Sequence, residues 1–280
     1  MTILVLQGTA LTQESAKLIA HDVSGTLNWQ QQFATIADAH IDKQTVESLR
    51  QQYDFDINAL PADFDVASVG LLVTDMDSTL ISIECIDEIA DFMNLKPQVS
   101  AITEAAMRGE IDFETSLRKR VSLLKGLEVS VLERVYDERL QLNPGAEIMV
   151  KTLKQQGIKL ALVSGGFTFF TDRLKQRLGL DFSQANLLAE KDGKLTGEVA
   201  GEICGAQTKA DFLLQCCKQL DITPAQTLAV GDGANDLLMM QPAGLSVAYH
   251  AKPKVQQQAD TAINHNGLDA ILGLLQLNYN

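Results

Sequence analysis

Three short apolar runs, each ending in polar residues, constrain the fold of this chain more than any other feature. The runs are residues 69–74, 158–163 and 227–230, and the later two each follow an amphipathic stretch, at 146–156 and 208–220. Runs of this length are typical of strands buried on both faces, and strands that alternate with helices predict a parallel sheet with right-handed crossovers. In such α/β folds the ligand site lies beyond the carboxyl ends of the strands.

A distinct polar cluster follows each of the three predicted strands. The first run ends in D-M-D-S-T at 75–79, the second in S-G-G at 164–166 and the third in G-D-G-A-N-D at 231–236. Lys209 opens the helix before the third strand. Because parallel strands end at the same edge of a sheet, we expect these groups to meet there.

The side chains of these clusters suit a divalent cation and a phosphate group. Carboxylates that share a small volume repel one another unless a hard cation joins them, and oxygen-only ligands favour Mg²⁺. Backbone amides at a strand-to-helix turn bind anions, and hydroxyl and ammonium groups add donors. The carboxylates are those of Asp75, Asp77, Asp232 and Asp236, the hydroxyls those of Thr79 and Ser164, and the ammonium that of Lys209.

Asp75 and Asp77 can divide the chemistry of phosphate transfer between them. Residues i and i+2 of a strand point the same way, so both carboxylates can reach the phosphorus. A metal-bound carboxylate is ionised and can attack, which forms an aspartyl-phosphate. The other can protonate the leaving alkoxide and later take a proton from water. We therefore predict a magnesium-dependent phosphatase with Asp75 as nucleophile and Asp77 as acid/base.

The rest of the chain predicts an inserted cap and a small separate domain. Residues 82–142 are mostly helical in pattern and interrupt the alternation directly after the first strand, which would place them over the active face. Residues 187–199 predict a hairpin, with a type I′ turn at 192–193. Residues 1–66 predict a small N-terminal α+β domain, with strands at 3–6 and 32–36, helices at 12–21 and 43–53, and an acidic linker at 54–65. The predicted fold class is α/β: a Rossmann-like parallel sheet in residues 67–280, with a helical cap, preceded by the small domain.

Composition narrows the set of partners and the compartment. The net charge of −13 opposes binding to nucleic acid and to anionic membranes, and no stretch reaches the roughly 18 apolar residues of a membrane span. Four cysteines without a C-x-x-C pair, and an N-terminus without a signal-peptide pattern, predict a cytoplasmic protein with free thiols. The sequence leaves the oligomeric state open and is compatible with a homodimer.

The three polar clusters at 75–79, 164–166 and 231–236, together with Lys209, resemble the motifs of the haloacid dehalogenase superfamily in their order and in their positions after strands. D-S-T-L-I-S-I-E at 77–84 and M-x-G-x-x-x-F-x-x-S-L-x-x-R at 107–120 narrow the resemblance to its phosphoserine phosphatases, over about residues 69–275. This resemblance implies hydrolysis of O-phospho-L-serine, a small-molecule substrate, through an aspartyl-phosphate, as the last step of L-serine biosynthesis. It also implies that the N-terminal region is a reduced relative of a βαββαβ amino-acid-binding domain, since we expect 66 residues to be too few for the whole pattern.

The same resemblance implies a role for each site residue. The residues that match Glu84 and Arg120 hold the amino acid, in agreement with the opposite charges of its ammonium and carboxylate. Metal ligands would be the carboxylates of Asp75 and Asp232 and the backbone carbonyl of Asp77, with Asp236 supporting them. The remaining substrate or phosphate contacts fall on Met107, Phe113, Ser164, Gly165, Lys209 and Asn235. Without the resemblance, Arg120 would be assigned to a solvated face, and Met107 and Phe113 to the core.

Two other functions remain open at this point. A phospho-acceptor of the receiver type also uses a strand-end aspartate, acidic metal ligands, a hydroxyl and a lysine. However, the predicted cap and the acid/base Asp77 do not suit a long-lived acyl phosphate. A phosphotransferase, or a phosphatase for another small phosphoester, would use the same catalytic residues.

Overall fold

The computed structural model describes residues 2–108 and 110–279, without the side chain of Met107. It contains two β-sheets, one in each of the two predicted regions. The first is four-stranded and antiparallel, and the second is seven-stranded and mostly parallel. No helix in the described part of the chain is both long and apolar enough to span a membrane.

The N-terminal sheet has strand order β2-β3-β1-β4 and carries two helices. Each helix begins at a side-chain cap: the Thr12 hydroxyl accepts the amide of Ser15, and the Asp42 carboxylate accepts that of Thr45. The elements are β1 (Thr2–Gln7), α1 (Gln13–Asp22), β2 (Thr26–Trp29), β3 (Ala34–Ala39), α2 (Lys43–Gln52) and β4 (Asp56–Leu60).

The structure corrects two predictions in this region. The segment 54–65 is not simply a linker, because β4 pairs antiparallel with β1, and the region holds a complete βαββαβ pattern in 66 residues. The strand β4 was not predicted because it contains two polar residues, Asp56 and Asn58, which are nevertheless buried. Their side chains bond to the last strand of the second sheet and to the residues that follow it. Asp56 accepts the backbone amides of Asn264 and His265, and Asn58 bonds to both the N–H and the C=O of Ala262.

The second sheet has strand order β11-β10-β9-β5-β6-β7-β8 and contains the three predicted strands side by side at its centre. All its pairs are parallel except β7 with β8. Those two form the predicted hairpin, and Asp192 and Gly193 at its turn both have positive φ (52° and 76°), as a type I′ turn requires. The strands are β5 (Leu71–Thr74), β6 (Lys159–Phe167), β7 (Phe182–Lys191), β8 (Lys194–Ala200), β9 (Thr227–Gly231), β10 (Leu245–Tyr249) and β11 (Thr261–Ile263).

The predicted insertion between β5 and β6 is present and helical. A bridge between Ile81 and Leu142 holds its two ends together at the base. It contains α3 (Cys85–Asp91), α4 (Lys96–Met107), α5 (Phe113–Ser122) and α6 (Ser130–Glu138). The remaining helices are α7 (Ala146–Gln155), α8 (Thr168–Leu178), α9 (Ala206–Leu220), α10 (Leu237–Met240), α11 (Pro253–Gln258) and α12 (Ala270–Leu274).

Apolar side chains cover both faces of the second sheet, which explains its continuous apolar strands. One face packs against the cap, α7 and α12, and the other against α9 and α10. Every residue of β5 and β9 is buried, so the two strands that carry the acidic clusters are held rigidly at the centre.

Candidate active site

A tight turn after β5 places Asp75 and Asp77. The chain leaves the strand at Thr74 and coils through Met76–Leu80, where Ser78 adopts a left-handed backbone conformation (φ 57°). Few residues other than glycine adopt this conformation, and in native proteins it is concentrated at functional sites. The two carboxylates therefore belong to a turn rather than to one face of an extended strand, and they have different surroundings.

Lys209, on α9, forms ion pairs with residues that follow β5 and β9. Its Nζ lies 2.8 Å from Asp75 Oδ1 and 2.7 Å from Asp236 Oδ1, and all three side chains are buried. Burial alone would lower the pKa of Lys209, but Asp236 and Asp75 raise it above its ordinary value, so the ammonium stays charged. The predicted convergence of β5, β9 and α9 at one sheet edge is thus present in the structure.

The carboxylates of Asp75, Asp232 and Asp236 form a compact acidic cluster. One ligand oxygen from each lies within 4.8 Å of the others, and the Thr79 hydroxyl donates to Asp232 Oδ1 at 2.9 Å. Burial and the charge of Asp236 raise the pKa of Asp232 to about 6 and also raise that of Asp75. One lysine cannot balance three carboxylates, and an all-oxygen donor set suits a hard divalent cation.

Hydrogen bonds from Lys209 and Gly233 hold the carboxylate of Asp236 in this cluster. Its Oδ1 faces Lys209, and its Oδ2 accepts the Gly233 amide at 3.0 Å. Both oxygens are therefore already engaged, which favours the predicted supporting role over that of an additional metal ligand.

The carboxylate of Asp77 lies outside this acidic cluster. Its Oδ1 accepts the amide of Cys85 at 3.3 Å, and its Oδ2 would lie 3.0 Å from a methyl group built on Gly166. Burial and the neighbouring Glu84 raise the pKa of Asp77 to about 7. Asp77 can therefore hold a proton near neutral pH, as a general acid must.

Residues 164–166 lie near the end of β6, where its pairing with β7 is irregular, and we call this segment the Ser164 loop. Hydrogen bonds order it. The Ser164 hydroxyl is buried and accepts the amide of Gly166 at 2.8 Å. The fully buried Asn186 of β7 donates to the carbonyl of Gly165 and accepts the amide of Cys204, both at 2.8 Å. Sequence reasoning missed Asn186; its only signal was an amide within the strand that enters the predicted hairpin.

The cap closes onto this loop through Phe113 at the start of α5. A methyl group built on Gly165 would lie 3.0 Å from Phe113 Cζ, and one on Gly205 would lie 3.6 Å from Phe113 Cδ1. The ring therefore lies over both the Ser164 loop and the loop that leads into α9. Asn235 is half-buried in the turn after β9, and the side chain of Met107 lies outside the described residues.

Opposite charges line the cap side of the site. The Ser78 hydroxyl donates to Glu84 Oε1 at 2.8 Å at the mouth of the site. The guanidinium of Arg120 on α5 faces the carboxylates of Asp87, Glu84 and Asp77, and its Nε is buried without a hydrogen-bond partner. The structure thus brings Asp75, Thr79, Lys209, Asp232 and Asp236 together, and it places Asp77, Glu84 and Arg120 near one another on the cap side.

Comparison with known proteins agrees with this geometry. Residues 69–244 match the family model of haloacid dehalogenase-like hydrolases. A curated phosphoserine phosphatase from Polaromonas sp. is 54% identical over 225 residues, which are 79% of this chain and 95% of that protein. The unliganded crystal structure of a probable phosphoserine phosphatase from Vibrio cholerae has a TM-score of 0.85 and 42% identity, over 98% of this chain and 86% of that one. A haloacid dehalogenase family hydrolase from Salmonella enterica serovar Typhi has a TM-score of 0.91 and 31% identity, over 99% of both chains.

Proposed function

The chain belongs to the haloacid dehalogenase-like hydrolase family, and we propose that it hydrolyses O-phospho-L-serine to L-serine and phosphate. One observation supports this proposal most directly. The buried group of Lys209, Asp75 and Asp236 lies beneath a cap that presents both a carboxylate, from Glu84, and a guanidinium, from Arg120. The first set of groups suits a phosphate and a cation, and the second suits an ammonium and a carboxylate. A phosphorylated amino acid carries all of these charges in one small molecule.

The phosphate half of the reaction follows from the different surroundings of the two aspartates. Asp75 attacks phosphorus and forms an aspartyl-phosphate, while Lys209 and the Ser164 loop neutralise and position the phosphate oxygens. Asp77 gives its proton to the leaving serine oxygen and then takes a proton from the water that cleaves the intermediate. Asp75, Asp232 and the backbone carbonyl of Asp77 would hold Mg²⁺, which would neutralise charge on the phosphate.

The amino-acid half would be bound by the cap. Arg120 pairs with the substrate carboxylate, and Glu84 pairs with its ammonium group. Phe113 excludes water while the phosphoryl group is transferred, and the cap then opens enough to admit the hydrolytic water. Gly165 and Asn235 complete the contacts with the substrate.

Phosphate release from a panel of small phosphoesters, with Mg²⁺ and with EDTA, tests this proposal. We expect O-phosphoserine to be the preferred substrate, EDTA to abolish turnover, and Asp75→Asn to remove activity by at least about 10³-fold, since the nucleophile is lost. Asp211→Asn, whose exposed carboxylate accepts a hydrogen bond from Gln207, is the matched control and should behave as wild type. Equal rates with all phosphoesters, or full activity in Asp75→Asn, would contradict the proposal.

The role of Arg120 can be tested separately. Arg120→Ala should raise KM for phosphoserine by about 10²-fold, because a charge-assisted pair with the substrate carboxylate is lost. It should change KM for p-nitrophenyl phosphate, which has no carboxylate, far less. The exposed Arg118→Ala on the same helix is the control. Equal losses with both substrates would show that Arg120 does not bind the carboxylate.

The position of Asp77 favours hydrolysis over a stable phospho-acceptor. Its carboxylate lies beside Gly166 in the Ser164 loop, where it can activate water against an acyl phosphate. We expect the phosphoenzyme to decay in less than a second; a lifetime of hours would instead support a signalling role.

The four cysteines are free and buried, which supports a cytoplasmic location for such an enzyme.

A further inference from the structure

Helix α5 of the cap carries two buried polar atoms without a hydrogen-bond partner. Among the described residues only three such side-chain atoms occur: Gln32 Oε1, Ser116 Oγ and Arg120 Nε. The last two lie four residues apart on α5, so they are neighbours one turn apart on the same helix face. Most buried polar groups in native proteins are paired, and an unpaired one calls for an explanation.

The face of α5 that carries these atoms is turned towards the active site. Phe113, Ser116 and Arg120 have the spacing i, i+3, i+7, which forms one stripe along a helix. Phe113 lies against Gly165 at one end of this stripe, and Arg120 faces Glu84 at the other. Ser116, which is 1% exposed, lies between them.

The other hydroxyls of the same helix are satisfied. The Ser122 hydroxyl donates to the carbonyl of Lys119 at 2.7 Å, and the Thr115 hydroxyl donates to Asp112 at 2.6 Å. The unpaired state of Ser116 is therefore not a general property of α5. It is confined to the stripe that faces the site.

We infer that Ser116 is a substrate-binding residue whose hydroxyl donates to the same carboxylate that Arg120 binds. This inference rests on the proposed function, since it requires a substrate with a carboxylate on the cap side. A carboxylate has two oxygens and accepts several hydrogen bonds, so a guanidinium and a hydroxyl one helical turn apart can both donate to it. Of the three carboxylates that face Arg120, those of Glu84 and Asp77 already accept from Ser78 and Cys85.

This arrangement would favour substrates that carry the carboxylate. The Ser116 hydroxyl is already buried without a ligand, so bonding it to one costs little further desolvation. A ligand without the carboxylate would leave it unpaired, and a site built for a polar group discriminates strongly against analogues that lack it. Ser116 would thus determine specificity for phosphoserine over its decarboxylated analogue, phosphoethanolamine.

Ser116→Ala tests the inference, with Ser122→Ala on the same helix as the control. We expect Ser116→Ala to raise KM for phosphoserine by about five- to tenfold, and by a factor at least about five times larger than for phosphoethanolamine. If phosphoethanolamine turns over too slowly, its inhibition constant against phosphoserine replaces its KM. Ser122→Ala should leave both constants unchanged, since its hydroxyl bonds only within its own helix.

Thermal unfolding of the ligand-free protein separates binding from a structural role. Because the Ser116 hydroxyl has no partner to lose, Ser116→Ala should leave Tm unchanged or raise it slightly. A lowered Tm with equal kinetic losses on both substrates, or an unchanged KM for phosphoserine, would overturn the inference. Failure of the wild-type protein to hydrolyse phosphoserine would overturn the proposed function instead.

Discussion

At the scale of single residues, environment gives two neighbouring aspartates different properties. Asp75 lies 2.8 Å from the ammonium of Lys209, whereas Asp77 has no such ion pair among the described residues, and burial with Glu84 raises its pKa to about 7. Burial and Asp236 raise the pKa of Asp75 as well, but the ammonium of Lys209 opposes this rise, and a bound cation would favour the ionised, nucleophilic carboxylate. Asp77, which holds a proton near neutral pH, can act as an acid. The assignment of roles therefore depends on surroundings that the D-x-D spacing alone does not encode.

Asp77→Asn should separate the two steps of the reaction. The leaving group of p-nitrophenyl phosphate needs no proton, so the first step should proceed, while hydrolysis of the aspartyl-phosphate should stall without a base. We expect a burst of about one equivalent of nitrophenolate followed by turnover at least about 10²-fold slower than wild type, measured by stopped-flow absorbance. Loss of the burst together with turnover would show that Asp77 is needed for attack itself.

The pH dependence of the wild-type enzyme should reflect the same proton. The acid form of Asp77 decreases as pH rises through about 7, so kcat for phosphoserine should fall on the alkaline side if proton donation limits the rate. The fall should be much smaller for p-nitrophenyl phosphate, whose leaving group departs as an anion. Steady-state rates between pH 5 and 9 measure this, and identical profiles for the two substrates would argue against Asp77 as the proton donor.

Sequence motifs locate residues whose role is local and miss those whose role depends on distant partners. Asp75, Lys209 and Asp232 were predicted because polar residues at strand ends must meet at one edge of a parallel sheet. Asn186 was missed, because both of its hydrogen-bond partners are far from it in sequence. Gly165 lies 21 residues before it and Cys204 lies 18 residues after it.

At the scale of elements, β4 shows how a polar strand can be buried. It lies between β1, with which it pairs, and β11, which it reaches through side chains rather than through a backbone ladder. Asn58 thereby satisfies backbone groups at an edge of the large sheet, where unpaired edge groups would otherwise be a liability. Its partner Ala262 is 204 residues away, so the local pattern suggested only a linker.

Asn58→Ala should therefore destabilise the fold more than its position in a small domain suggests. The change leaves the N–H and C=O of Ala262 without their Asn58 partner, which should cost about 2–4 kcal/mol in the free energy of unfolding. Asn28→Ala, on exposed β2, is the control and should stay within about 0.5 kcal/mol of wild type. Urea unfolding measures both, and equal small changes would show that the side-chain contact between the sheets contributes little.

At the scale of the whole molecule, the acidic cluster and the neighbouring Asp77 link stability to pH and to the metal. The pKa values of Asp232 and Asp77 are raised from 3.8 to about 6 and about 7. A raised carboxyl pKa means that the folded state binds protons more tightly than the unfolded state, so these groups make the metal-free protein less stable as pH rises from about 4 to about 7. A divalent cation should offset the part of this loss that comes from Asp232, because it takes the place of the proton on that carboxylate.

Mg²⁺ should thus raise Tm more at pH 7.5 than at pH 5. At a concentration about 100 times its Kd, we expect a rise of roughly 5–10 °C at pH 7.5 and less than half of that at pH 5. Asp232→Asn should reduce the rise, and Asp211→Asn should retain it. An equal rise at both pH values, or an unchanged rise in Asp232→Asn, would place the cation elsewhere.

The central claim is that β5, β9 and α9 deliver their charged groups to one site, where Asp75 becomes phosphorylated. The most direct measurement is acid quenching of the enzyme during turnover of ³²P-labelled phosphoserine with Mg²⁺, followed by borohydride reduction and peptide mass spectrometry. We expect label on the protein and conversion of Asp75 alone to homoserine, with no label in Asp75→Asn or in EDTA. Label on another residue, such as Ser164 or Asp232, or turnover with no labelled protein under any quench, would contradict the claim.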